Sequence, residues 1–172
     1  MTTSDPSAPA RSRRGKRAGS PRTAARIAAV QALYQIEMSQ AAADQVIAEF
    51  REHRLGSDTD AELFATLTAA TWVRRVEIDD LIKSALAEGW TIARLDAVMR
   101  ALLRAGVSEL LDFADVPVPV VIDQYVEVAH AFLGQKETGF VNGLLDRLAR
   151  RLRPQEVRAS ADESADQSQK KR

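Results

Sequence analysis

The sequence has no cysteine, only two histidines (His53 and His130), and few aromatic residues: five Phe, two Trp and two Tyr. Without cysteine there are no disulfides and no thiolate metal sites, and two histidines are too few for a histidine-rich metal cage. His130 stands between Ala129 and Ala131, and His53 between Glu52 and Arg54 at a helix end. Neither has the partners that metal chemistry demands, so both read as surface or boundary residues. No apolar run approaches the ~18 residues that span a bilayer. Residues 1–22 contain no Leu, Ile, Val or Phe, which argues against a secretory signal and against the apolar face of a transit peptide. A cytoplasmic protein without a membrane segment is therefore expected. The only Gly-Lys pair, Gly15-Lys16, lacks the upstream glycine, the following Ser or Thr and the preceding strand of a phosphate loop. Asp79 and Asp80 are neighbours on a helix and point about 100° apart, which suits a solvated face better than shared proton or metal chemistry. No catalytic, cofactor or metal site is expected.

What is present is a chain of 172 residues, 45% hydrophobic, with a formal net charge of zero. That length fits one domain with tails, and the apolar content is enough for a core. The zero hides an asymmetry. Residues 1–26 carry 7 basic and 1 acidic side chains, residues 27–146 carry 9 and 19, and residues 147–172 carry 8 and 4. Basic ends on an acidic body suit a molecule that meets a polyanion at one place and a basic protein at another.

Residues 1–21 are rich in Ser, Pro, Ala, Gly and Arg, and are expected to form a disordered basic arm. From Arg22 the pattern turns helical. Ile27, Val30, Leu33 and Tyr34 recur at spacings of three and four, with Ser20 or Thr23 available as the cap, in a helix running to Ser39. A second helix follows Asp44 and ends near Leu55-Gly56. Ser57-Asp58 offers caps for a third, bearing Leu63, Phe64, Leu67, Ala70 and Val73. A stripe from Ile78 to Leu86 stops at Gly89, and a long, strongly apolar helix carries Leu95 through Leu111. Asp115 to Pro119 is a connector, since each proline disfavours α geometry before it. Ile122 to Leu133 and Val141 to Leu152 complete the set, Pro154 ends the folded part, and 155–172 is a polar tail expected to be disordered. No strand alternation appears, so the fold class is all-α, a compact bundle of about seven helices over residues 22–154.

Within this frame the arm clusters Arg11, Arg13, Arg14, Lys16 and Arg17. Arg22 and Arg26 follow at i and i+4, projecting from one face of the first helix, so a continuous cationic strip is expected. Arginine suits RNA because its planar guanidinium binds phosphate and stacks on bases. Tyr34 lies about 12 Å beyond Arg26 along the axis, where it can stand beside the strip. In Phe140-Val-Asn-Gly-Leu-Leu-Asp146, Asn142 and Gly143 are poor helix formers, together costing about 1.5 kcal/mol relative to alanine, and Phe140 sits at the edge of the apolar stripe. It is either a packed edge ring or a surface for a base or a partner. Trp72 and Trp90 neighbour apolar helix positions and read as packing residues.

Three blocks in order resemble one family. Arg26-Ile-Ala-Ala-Val-Gln-Ala-Leu-Tyr-Gln35 is similar to the first-helix motif of the NusB family. Leu102-Leu103-Arg104-Ala105, with Glu109-Leu110 and Asp115-Val116-Pro117, resembles its central segments, and Phe140 to Asp146 resembles its Phe-Val-Asn-Gly signature. The similarity covers about Arg22 to Pro154. Ser108 stands where the family often has tyrosine, Met99 and Lys136 stand at commonly acidic positions, and the arm is longer than usual. The resemblance implies two small helical subdomains and a transcription antitermination factor without catalysis. It implies binding of a boxA-type single-stranded RNA together with ribosomal protein NusE, in a complex on RNA polymerase that supports transcription of ribosomal RNA operons. The matching RNA-binding positions are Arg22, Arg26, Tyr34 and Phe140. Two rivals are a helical protein-interaction or homodimerisation module, with Phe140 and Gly143 at its interface, and the ribosomal RNA cytosine methyltransferases that carry this domain. The latter need a downstream cofactor domain, which is not expected here.

Overall fold

The computed structural model describes residues 19–169, among which there are eight α-helices and no strand. They are α1 (Pro21–Ser39), α2 (Ala43–His53), α3 (Ala61–Val73), α4 (Arg75–Ala85), α5 (Ala97–Asp112), α6 (Val118–Phe132), α7 (Gln135–Leu152) and α8 (Pro154–Gln169), with a 3-10 turn at Ile92–Arg94 before α5. The basic cluster from Arg11 to Arg17 lies outside the described residues.

The helix starts follow from local chemistry. Of the two caps open to α1, Ser20 is the one used: its hydroxyl accepts the Thr23 N–H at 3.1 Å, with Pro21 in the first turn. α3 begins later than the Ser57-Asp58 caps would place it. Asp60 accepts the Leu63 N–H at 2.9 Å, while its own N–H is held by the Pro21 carbonyl at 3.1 Å, so the starts of α1 and α3 are tied together. Asp96 caps α5 by accepting from Val98 at 2.9 Å, which leaves Leu95 just before the helix rather than within it.

Two apolar cores form, and they are the two small subdomains. In the first, Ala25, Ala29 and Ile36 of α1 meet Val46 and Phe50 of α2 and Phe64 and Leu67 of α3, with the Phe50 and Phe64 rings stacked at 5.6 Å. The second gathers Ile78 and Ile82 of α4, Leu102 and Leu103 of α5, Tyr125 of α6 and Leu144, Leu145 and Leu148 of α7. Val30 and Leu33 give α1 a face in this core too, and Trp72 packs against both. α5 is buried continuously over residues 101–110, as an apolar circumference requires of a central helix. Gly106 permits its close approach to α6 and α7: a Cβ there would lie 3.1 Å from Leu145 and 3.3 Å from Tyr125.

The sequence pattern ends the folded part at Pro154, yet α8 follows. Its entry is fixed by polar groups rather than by an apolar stripe. The Arg153 guanidinium donates to the carbonyls of Leu110 at 2.7 Å, Val116 at 2.7 Å, Phe113 at 2.9 Å and Glu109 at 3.1 Å, tying the end of α5 and the connector after it to the entry of α8. Glu156 accepts the Val118 N–H at 2.6 Å and so caps α6.

Candidate nucleic-acid interface

The first-helix motif divides between interior and surface. Thr23, Arg26, Val30 and Leu33 recur every three or four residues and are all buried, so they form the stripe of α1 that faces α5 and α6. Arg26 is only 2% exposed. Its Nε donates to Glu109 Oε2 at 3.0 Å, its Nη2 is ion-paired with Glu109 Oε1, and its Nη1 donates to Gln124 Oε1 at 3.1 Å. Tyr125 donates its hydroxyl to Glu109 Oε2 at 2.8 Å, and Thr23 donates to Gln124 at 2.6 Å. Burial pulls the Arg26 pKa down, but Glu109 outweighs it and holds the guanidinium above its ordinary value. Burial, followed by the Glu109 charge, pushes the Tyr125 phenol well above its ordinary value, so it stays a donor.

This corrects the expected strip. Arg22 and Arg26 share a helix face, but α6 covers only the second of them. Arg22 remains exposed on the first turn, over a small recess with Asp115, Pro117, Val120 and Gln124. Arg26 lines the back of the same recess, but its guanidinium is almost fully buried and committed to Glu109 and Gln124.

Arg104 of the central motif behaves in the same way. It binds Asp79 of α4 with two bonds of 2.7 Å and donates to Glu37 of α1 at 2.6 Å, while Arg100 also binds Glu37, at 2.8 Å through Nε. Burial would raise the Glu37 pKa, but hydrogen bonding to Arg100 and the nearby Arg104 charge bring it below the ordinary carboxylate value.

The aromatic positions are outside. Tyr34, 39% exposed, overlooks a recess of about 400 Å³ with Gln31, Met38, Arg54, Val98 and Phe132. Phe140 is half-buried on α7 and borders a second recess with Trp90, Leu95, Met99 and Lys136. Val98 and Met99 are consecutive on α5, and Phe132 and Lys136 flank the α6–α7 turn. Both recesses therefore border the first turn of α5, on different sides of it. Arg22 lies twelve residues before Tyr34, about 18 Å away along α1, so the exposed sites mark a track rather than one pocket.

Trp72 packs as expected, with the Arg75 guanidinium 4.5 Å from its ring centroid. Trp90 does not: it is 50% exposed. Its neighbours in sequence, Gly89 and Thr91, were the available signal that it sits in a loop. Among the described residues no group of three or more His, Asp or Glu side chains could hold a metal ion, and no helix is long and apolar enough to cross a membrane.

The structure is thus an all-helical, two-subdomain protein that presents accessible aromatic rings and an arginine, the side-chain types that single-stranded RNA binders use. The chain belongs to the NusB family, whose model matches residues 23–150. It is 49% identical over 138 residues to the transcription antitermination protein NusB of Caulobacter vibrioides, covering 76% of this chain and 93% of that one. With the same-named protein of Rhodopseudomonas palustris TIE-1 it shares 42% identity over 151 residues, 83% of this chain and 87% of the other. Among solved structures, Thermotoga maritima NusB superposes with a TM-score of 0.67 at 33% identity, covering 77% of this chain and 93% of that one. A chain from the crystal structure of antitermination factors NusB and NusE with double-stranded RNA superposes with a TM-score of 0.66 at 27% identity, covering 76% and 97% respectively.

Proposed function

We propose that this protein is a cytoplasmic transcription antitermination factor without catalytic activity. It binds a boxA-type single-stranded RNA together with ribosomal protein NusE, within a complex on RNA polymerase that supports transcription of ribosomal RNA operons. The observation that carries the reading is the pair of accessible rings, the exposed Tyr34 and the half-buried Phe140, each bordering a recess beside the start of α5. Aromatic faces on a track are what unpaired bases stack on, and Arg22 and the arm supply charge for the phosphates. Arg26 takes part as a positioning residue, holding α1 against α5 and α6. The acidic body, residues 27–146, suits a basic ribosomal protein. The solved assembly of NusB and NusE with double-stranded RNA supports partners of these two kinds.

The test is affinity for boxA-type RNA against a scrambled strand and a duplex, with and without NusE, over a salt series. Preference for the boxA strand, strengthened by NusE, is expected. Equal and weak binding to all three sinks the reading. If the arm contacts four phosphates, removing residues 1–21 lowers the salt slope by about 3, at ~0.7 per contact. A homodimer through the exposed side of α7 is the competing reading; Gly139 and Gly143 face open space there, so no contact within the chain accounts for them. Sedimentation with and without RNA separates the two.

A further inference from the structure

Trp90 is half exposed and, unlike a singly exposed apolar residue, it forms with Phe140 a contiguous aromatic patch over an apolar recess. It lies in the α4–α5 loop immediately after Gly89, whose φ of 81° is open to glycine and strained for other residues. The loop is held in place: Arg94 Nη1 donates to the Gly89 carbonyl at 3.2 Å, and the Arg94 guanidinium carbon stands 5.6 Å from the Trp90 ring centroid. The Trp90 and Phe140 rings lie 6.4 Å apart at an interplanar angle of 36°. Leu95 and Met99, both buried, floor a recess of about 270 Å³ beside them, and Lys136 and Glu137 stand at its rim.

The charge around this recess selects its occupant. Among the described residues, neither Arg94 nor Lys136 is in an ion pair, whereas Arg26, Arg74, Arg100 and Arg104 are all bound to carboxylates. Two cations outside any ion pair stand beside two aromatic rings, with Glu137 the one carboxylate among the described residues lining the recess; on a body that is otherwise acidic, this net positive rim matches a base and its flanking phosphates better than a basic protein surface.

We propose that Trp90, Arg94 and Lys136 form a further nucleotide position at the Phe140 end of the interface. Trp90 takes an unpaired base next to the one on Phe140, and the two cations meet the adjoining phosphates. This rests on the reading of Phe140 as an RNA contact. It extends the track from Tyr34 around the start of α5 to the α4–α5 loop.

The experiment uses the full chain with NusE and a boxA-type single-stranded RNA. Affinity is measured for wild type, Trp90→Ala, Phe140→Ala and Lys136→Ala, and tryptophan emission is followed in Trp72→Phe, where Trp90 is the sole reporter. Trp90→Ala is expected to weaken binding about 5- to 150-fold, as loss of one stacked base does. Lys136→Ala is expected to lower the salt slope by about 0.7, and the RNA to quench Trp90 emission. If Phe140→Ala weakens binding while Trp90→Ala leaves it unchanged and emission does not move, the position is refuted and the RNA reading stands. If wild type shows no preference for the RNA, both fall. Should Trp90→Ala impair only NusE binding measured without RNA, the ring belongs to a protein interface and the proposal is overturned. Unquenched emission in Trp72→Phe overturns it even where Trp90→Ala fails to fold.

Discussion

The first-helix motif contributes to two polar and aromatic regions of this molecule that do opposite things, Arg26 to one and Tyr34 to the other. Along the seam between α1, α5 and α6, Arg26, Glu109 and Tyr125 bind one another in the interior, and the half-buried Gln124 closes the network toward the surface. At the end of the bundle Tyr34, Phe140 and Trp90 present rings with few internal partners. The seam fixes where α1 lies, and the rings use that placement. On the proposed reading, a motif residue such as Arg26 acts on the RNA-binding surface through the placement of α1 rather than by contact.

The largest expected effect falls on the seam. Arg26→Ala leaves Glu109, fully buried, without its counter-charge, and is expected to cost about 3–5 kcal/mol of folding stability. Arg22→Ala, one turn earlier on the same face, is expected to change stability by less than about 0.5 kcal/mol while weakening RNA binding. Urea titration with RNA affinity on both variants separates the roles. Arg26→Ala that unfolds no more easily than Arg22→Ala contradicts the division.

On the aromatic face the sign reverses. Tyr34→Ala is expected to cost about 1–3 kcal/mol in RNA binding, with little change in urea midpoint, because the ring is well exposed. Phe140→Ala is expected to lose a similar amount of binding together with some stability, since its ring is half-buried. Calorimetric binding curves at one salt concentration measure the first, and thermal melts the second. A Tyr34 variant that melts early but binds normally would move Tyr34 into the core.

How much of this was legible follows from the kind of signal each residue gives. The helices and both cores follow from apolar spacing, which reports burial directly, and α5 stood out by its breadth of apolar residues. The seam was hidden because periodicity assigns arginine to the surface. Only the long-range pairing of Arg26 with Glu109, 83 residues away in sequence, reverses that. α8 was hidden for a related reason, since Arg153 and Glu156 anchor its entry through backbone groups of α5 and α6. Trp90 was read as packing because it neighbours apolar residues, although Gly89 before it is a turn signal. The four motif positions follow from the resemblance, and what the structure adds is their separation into one interior (Arg26), one half-buried (Phe140) and two exposed (Arg22 and Tyr34).

A smaller effect probes the seam between α1, α4 and α5. Arg100 and Arg104 lower the Glu37 pKa in the folded state, so its contribution is fully present above the ordinary carboxylate value. It is lost as the pH falls through the lowered folded value. Glu37→Gln is expected to cost about 1 kcal/mol at neutral pH, with the difference from wild type shrinking as the solution is acidified. A pH-independent difference would mean that shape rather than charge is at work.

The smallest change returns to the exposed side of α7 and distinguishes a cost of folding from a use in binding. A Cβ at Gly143 would meet nothing within 4 Å, so no internal contact requires glycine there. Gly143→Ala is accordingly expected to stabilise the helix by about 0.5–1 kcal/mol, through the propensity difference alone. If bare backbone at this position admits RNA or another chain, the same variant binds its partner less well while melting higher. Higher melting with unchanged binding to RNA, to NusE and to a second copy would leave Gly143 without a role at the interface. Paired melting and binding measurements on this one variant therefore decide whether the helix-weakening glycine serves recognition.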